Sequence, residues 1–455
     1  MIASLMALSV RMRWAVVLFF LAVAGIGLWQ LTRLPIDAVP DITNNQVQIN
    51  TVNPGLSPVE MEKLVTYPIE TALAGIPGLE TTRSLSRNGF SQVSAIFSDS
   101  TDLYFARQQV GERLAQAGEK LPAGVQPQIG PVTTGLGEVV MYTVGYANPD
   151  GKGAQRVAGQ PGWQPDGSYL TPEGQVLNDE VAKAGYLRTV QDWIIAPQLK
   201  SVKGVAGVDS IGGYAKTFVV EPDPVKLTAF GISYSELAKS LEAANLAVGA
   251  NYFNRGGEAY LVRADARIRS VDEIRNAVVA TRGGVPITVS QIANVRIGGD
   301  LRTGAASLNG REAVVGTALM LIGQNSRTVA EGVGAKLDQV AKTLPPGVKV
   351  EVVLDRAKLV NATVATVERN LAEGAILVAA ALFLLLGNWR AAIIAVLVIP
   401  FSFLMMATGM NIVGVPGNLM SLGALDFGLI VAAKNLSITT LDIDNILIAR
   451  TIGFR

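Results

Sequence analysis

Apolar and polar positions divide this chain into uncharged runs and one long patterned block. Trp14 to Thr32 is uncharged over about 19 residues, close to the roughly 20 that span a hydrocarbon core. A second apolar run, Ala375–Leu386, continues a helix that starts near Lys358. Ala391–Met410 forms a third after the tight polar turn Gly387-Asn-Trp-Arg390, and a fourth starts near Met420 after Pro416-Gly417. The retained first run has no small-residue cleavage site behind it, so it reads as a membrane helix and not a signal peptide. Buried helices of a soluble protein are the alternative reading of these runs.

Between the first two runs lie about 335 residues with the periodicities of compact α+β units. Gln46–Val52 alternates like a half-buried strand. Ser57-Pro-Val-Glu60 combines an N-cap, a first-turn proline and a capping-box glutamate, opening a helix to about Leu73. Strands follow near Glu80–Ser86 and Ser91–Phe97, joined by Arg87-Asn-Gly89. Asp102 opens a helix to about Lys120, and Val125–Ile129 closes the unit as a strand. The order β-α-β-β-α-β is the split, ferredoxin-like arrangement.

A second stretch repeats the style. Strands are expected at Glu138–Tyr146, Val205–Ile211, Phe218–Val220, Ala259–Ala264, Thr303–Leu308, Ala313–Leu321 and Val348–Leu354. Helices are expected at Tyr186–Val202, Ser233–Ala244 and Ser326–Leu344. Residues 148–180, rich in Gly and Pro around Trp163, read as an exposed loop.

Composition narrows the chemistry. Hydrophobic residues make up 49% and charged residues 16%, which favours a chain partly in lipid. A net charge of +1 leaves no basic footprint for nucleic acid. There are no cysteines and no histidines, which excludes disulfides, thiolate or imidazole zinc sites and every Ser-His-Asp arrangement. Gly212-Gly213 and Gly256-Gly257 lack the following Gly-Lys-Ser/Thr of a phosphate loop, so no nucleotide site is visible. Glu60 and Glu62 read as parts of a solvated helix face. No enzyme and no bound cofactor is expected.

Lysine and arginine placement orients the spans. Arg11 and Arg13 put the N-terminus in the cytoplasm, the patterned block outside, and Arg390, Lys434, Arg450 and Arg455 inside. Asp426 stands alone in Ser421–Val431, with no formal charge between it and Arg390. An acid there costs about 2.5–3.5 kcal/mol on insertion scales, and its common use is proton transfer. An acid that snorkels to water from a helix end is the alternative. The methionines at 405, 406, 410 and 420 read as packing residues.

These residues resemble the first part of a resistance-nodulation-division (RND) exporter of the heavy-metal efflux branch. The likeness rests on Leu34-Pro-Ile-Asp-Ala-Val-Pro-Asp-Ile42, Thr66-Tyr-Pro-Ile-Glu70, Arg83-Ser-Leu-Ser-Arg87 and Asp102-Leu-Tyr-Phe-Ala-Arg107. It also rests on Leu187-Arg-Thr-Val-Gln-Asp-Trp193, Asn325-Ser-Arg-Thr-Val-Ala330 and Gly417–Val431. Leu425-Asp-Phe-Gly428 is similar to the cobalt-zinc-cadmium pumps more than to the copper-silver ones. The likeness covers residues 1 to about 431.

The resemblance implies a multi-pass protein of the bacterial inner membrane, with a large periplasmic domain. It implies a homotrimer driven by proton import, joined to a periplasmic adaptor (membrane fusion) protein and an outer-membrane channel. The transported substrate would be a divalent zinc, cobalt or cadmium cation. The implied fold is a membrane α-helical plus α+β RND half with ferredoxin-like porter subdomains. The expected boundaries are a first transmembrane helix in 1–34, a first porter subdomain over 35–135, and a second over 136–205 that includes the loop 148–180. A docking subdomain is expected over 206–270, the return of the second porter unit over 271–330 and a return to the first over 331–357. Further helices are expected at 358–387, 391–410 and 418–431, the last incomplete, before a divergent tail at 432–455.

Two departures qualify the implied mechanism. The family's full exporter has a second half of similar design, and its fourth helix continues with a second aspartate and a glutamate. Here those positions hold Ala432 and Thr439, and Lys434 lies between them. The proton relay then has Asp426 and no partner, and the expectation is an interrupted, inactive fragment. Two alternatives stand beside the pump. One is a membrane-tethered interaction domain that assembles with adaptors or intact subunits. The other is a lipophilic-drug exporter, for which 6% aromatic content offers little.

With no His or Cys, the metal path must use oxygen ligands. The resemblance points to Glu138, at the start of its strand, and to Asp192, on the helix of Gln191-Asp-Trp193. The plainer readings are a strand-end acid for Glu138 and a helical ion pair with Arg188 for Asp192.

Overall fold

The computed structural model describes residues 11–34, 42–265, 267–300, 302, 304–386, 389–414 and 417. Among them, the helix Arg13–Leu31 holds the single stretch, Trp14–Leu31, that passes as long and apolar enough to cross a membrane. Its side chains are largely bare within the chain, as a lipid-facing helix requires.

The first patterned unit forms as its periodicity predicts. Val47, Ile49 and Thr51 alternate inward along Gln46–Val52. The helix from Pro58 starts on the Ser57–Glu60 capping box and carries Met61, Val65, Ile69 and Leu73 to the sheet. A second helix, Leu103–Ala117, is capped by the Asp102 carboxylate, which accepts the Phe105 N–H at 2.8 Å. The antiparallel sheet runs, edge to edge, Leu79–Arg87, Phe90–Phe97, Gln46–Val52 and Gln128–Ile129. Asn88-Gly89 makes the hairpin turn, and Gly89 (φ 64°) is required there. An added Cβ would stand 2.7 Å from Pro54 Cα.

The second unit repeats the order. Its sheet runs Val348–Asp355, Glu138–Tyr146 and Arg311–Met320. Val205–Ile211 and Ala306–Leu308 pair along the far edge of Arg311–Met320. Helical segments Glu180–Lys200 and the helix Ser326–Ala341 cover one face, burying Leu187, Val190, Leu199, Val329, Val333 and Leu337.

Both units contain one wide turn in their first helix. Glu62–Thr66 and Gln191–Ile195 are π-helical, and a proline follows two residues later in each, Pro68 and Pro197. A helical proline clashes with the carbonyl four residues back, and the wider turn relieves that misfit.

Three expectations are corrected. The segment 331–357 does not return to the first unit. Val348–Asp355 pairs with Glu138–Tyr146, and Val333, Leu337 and Val340 enter the second core. The inserted unit does not span 206–270: Val205–Ile211 belongs to the second sheet, and a separate core runs from Val220 and Leu227 to Val295. That unit occupies 216–299, entering and leaving through the antiparallel pair Lys216–Pro222 and Ala293–Gly299. Residues 148–180 are not an exposed loop. Short strands at 162–163, 169–170 and 176–177 fold them onto the second unit, with Trp163, Tyr169 and Leu177 at most 3% exposed. Large aromatic area outweighs the Gly and Pro content there.

From Arg356 the chain continues as one helix to Leu386, about 46 Å at 1.5 Å per residue, and a further helix covers Trp389–Val413. That last helix packs against the first. Phe20 meets Phe401 edge to face at 4.8 Å, and Gln30 Oε1 accepts from Asn411 at 2.6 Å. The contacts ascend together in both helices, so the two run parallel. The expected helix 418–431, Asp426 and the tail 432–455 lie outside the described residues.

Candidate cation path

Glu138 is exposed at the first position of its strand. The backbone around it is held by Arg356, the first residue of the long helix, which donates to the Leu136 carbonyl and to the Glu138 carbonyl at 3.5 Å. The strand bearing Glu138 is thus fastened to the helix that descends toward the apolar segments.

Asp192 sits in the wide turn of the second unit, half-buried. Arg188 Nε donates to its Oδ2 at 2.7 Å, so the helical ion pair expected as the plainer reading is present. Under that turn lies a small group of buried polar side chains. Gln191 is fully buried, and its amide nitrogen donates to Ser210 Oγ at 3.2 Å. Gln191 Oε1 and the Tyr142 hydroxyl are both buried without a hydrogen-bond partner. Burial pushes the Tyr142 phenol well above its ordinary range; the Gln191 side chain opposes that shift and the Asp192 charge adds to it.

Two cavities flank the helix Glu180–Val190. One, of about 520 Å³, has Trp163, Lys183, Arg311 and Glu351 in its wall. The other, of about 600 Å³, lies between that helix and the inserted unit, reaching Tyr214, Lys216 and Arg296. Lys183 is nearly buried, paired with Glu180 at 3.2 Å and 5.2 Å from the Trp163 ring centroid.

Glu138 and Asp192 share no hydrogen bond or ion pair, and among the described residues no three acids gather into a metal-holding group. The arrangement therefore offers two separate carboxylates, with no closed oxygen cage among the described residues. The sequence pattern did not expose the Tyr142–Gln191–Ser210 group, because a buried glutamine and a solvated one look alike in a helix. Gly212-Gly213, noted only as a failed phosphate loop, turns out to supply the carbonyl that anchors Arg188: Nη1 donates to Gly212 O at 2.9 Å.

An apolar anchoring helix, two repeated split α+β units with a third inserted in the second, and no nucleotide loop define the class: the fold is that of the RND exporters. A sequence profile of the AcrB/AcrD/AcrF family matches residues 5–433, and the chain belongs to that family. It is 65% identical over 431 residues to the nickel-cobalt-cadmium resistance protein NccA of Alcaligenes xylosoxydans xylosoxydans, covering 95% of this chain and 40% of that protein. The cobalt-zinc-cadmium resistance protein CzcA of Cupriavidus metallidurans is 47% identical over 95% of this chain and 38% of its own length. A crystal structure of a heavy metal efflux pump superposes with a TM-score of 0.78 at 33% identity, over 93% of this chain and 39% of that one. The chain thus spans about two-fifths of the length of these relatives. The expected likeness to the cobalt-zinc-cadmium pumps agrees with the 47% identity to CzcA, and the cation efflux system protein CusA of Escherichia coli is 34% identical. The expectation of zinc, cobalt and cadmium omitted nickel, which the name of the 65%-identical relative carries.

Proposed function

We propose that this chain forms part of an inner-membrane exporter of divalent heavy-metal cations, nickel and cobalt foremost, that confers metal resistance. The observation that carries this reading is 65% identity, sustained over 431 residues, to a nickel-cobalt-cadmium resistance protein. In this reading the two split units are ferredoxin-like porter subdomains, and the inserted unit at 216–299 is the docking element toward an adaptor and an outer-membrane channel in a trimeric assembly. The helices Arg13–Leu31, Arg356–Leu386 and Trp389–Val413 cross the membrane, and the parallel course of the first and third supports an alternating topology. Asp426 is the proton-carrying acid, and Glu138 and Asp192 are oxygen ligands along the cation path.

Proton-coupled transport needs groups that exchange a proton with neighbours. With Ala432 and Thr439 at the expected partner positions, this chain alone is expected to bind cations without exporting them. The test is growth of an exporter-deficient bacterium on graded nickel, cobalt, cadmium and zinc, with and without this gene. No gain in tolerance is expected. A gain that Asp426→Asn abolishes would overturn the single-acid reading and establish export.

A further inference from the structure

Arg188 lies where the helix Glu180–Val190 passes into its wide turn. One guanidinium makes two bonds there, 2.7 Å to the Asp192 carboxylate and 2.9 Å to the Gly212 carbonyl. Its two acceptors are not equivalent. The Gly212–Gly213 turn is wedged in place: a Cβ on Gly213 would stand 2.9 Å from Ala184 O and 3.0 Å from Arg188 Cβ, and one on Gly212 would stand 2.3 Å from Ala313 O. The carbonyl is therefore a fixed anchor. The Asp192 side chain is 33% exposed and that of Arg188 24%, so solvent and solutes reach their contact.

We propose that Arg188 is a built-in competitor for Asp192, a positioning residue that occupies the carboxylate until a divalent cation displaces it. A compact doubly charged ion outbids one arm of a delocalised guanidinium for a carboxylate oxygen, whereas a monovalent ion does not. The displaced guanidinium keeps its Gly212 carbonyl and takes water in place of the acid. Return of the arginine then helps expel the cation, so the pair lowers affinity and favours release. This rests on the reading of Asp192 as a cation ligand.

Trp193, 79% exposed beside Asp192, provides a local reporter, since bound Co²⁺ or Ni²⁺ quenches a neighbouring indole. The full chain, purified in detergent, is titrated with each metal chloride while tryptophan emission is followed, with Trp193→Phe identifying the local part of the signal. Arg188→Gln is expected to tighten the midpoint by roughly fivefold, the scale of losing one part-exposed ion pair. Arg188→Ala should move the same way, and Arg188→Lys, which keeps the charge, should stay within about twofold. Asp192→Asn should abolish the Trp193 response. If Asp192→Asn leaves the response intact, the ligand reading fails and this proposal with it. If Asp192→Asn abolishes it while neither Arg188→Gln nor Arg188→Ala tightens binding, Asp192 stands as a ligand and the competitor role is overturned. Weaker binding in both would overturn it too, marking Arg188 as a residue that merely orders the carboxylate.

Discussion

At the scale of single residues, the second unit carries an unusual density of buried phenols. Tyr142, Tyr146, Tyr169 and Tyr186 are buried or nearly so; Tyr146 and Tyr169 pack on Trp163, and Tyr186 packs on Tyr169. Burial pushes each phenol upward, and the charge of Glu173 adds to the shift at Tyr169 and Tyr186. The folded values lie above the unfolded value near 10, so the folded state keeps protons that the unfolded chain would release. Their contribution to stability is whole below about pH 10 and is lost as pH rises beyond it. In an alkaline titration, tyrosinate absorbance of this group should appear together with loss of circular dichroism, and not before it. A tyrosinate signal that develops while the fold stays intact would contradict the packing described here. Of these residues, Trp163 was visible in the sequence as an aromatic stranded among Gly and Pro. That combination argues for a strap pinned to a core as readily as for a loop. Gln191 gave no such sign, since its burial depends on Tyr142 and Ser210, 49 and 19 positions away.

At the scale of elements, periodicity and caps specified most of what formed. The Ser57–Glu60 box, the Asp102 cap and the alternation of Gln46–Val52 each appear where local rules place them. The turn widenings before Pro68 and Pro197 follow from proline chemistry, although the pattern of apolar residues does not reveal them. Partner choice was harder. Val348–Asp355 alternates in the same way whichever sheet it joins, and only register against Glu138–Tyr146 decides. Between the apolar helices the decisive residue is Gly27, where a Cβ would come 2.7 Å from Leu404 Cβ. Small residues allow such approach where lipid offers no hydrophobic drive. Gly27→Leu should therefore separate the first helix from Trp389–Val413. The chain has no cysteine of its own, so Phe20→Cys with Phe401→Cys reports this cleanly. A short bifunctional thiol reagent should join the pair in the parent sequence and fail once Gly27→Leu is added. Equal yields would show that the contact does not hold the helices.

At the scale of the whole molecule, two repeated split units are joined to three long helices among the described residues. The first helix and Trp389–Val413 run parallel, and the helix Arg356–Leu386 precedes the latter in the chain. In the proposed topology, positive charge at Arg11, Arg13 and Arg390 puts the starts of both helices on the cytoplasmic side. A reporter active only outside the cytoplasm should score when fused near residue 42 or 414 and stay silent near 390. Activity at 390 would invert the topology. The apolar helix at Trp14–Leu31 and the element order of the first split unit were legible from hydropathy and periodicity alone, because both depend on local composition. The cation path was not, because single carboxylates resemble any solvated acid until the surrounding chain is placed.

The inserted unit leaves and rejoins its host through one strand pair, with Lys216 opposite Gly299. Its two ends are therefore neighbours, and the host sheet closes between Ile211 and Ala306 whatever lies beyond them. Such an insert is an exchangeable cassette. Its length and outer face can change without disturbing the host, which carries Asp192 and Glu138 and keeps its register.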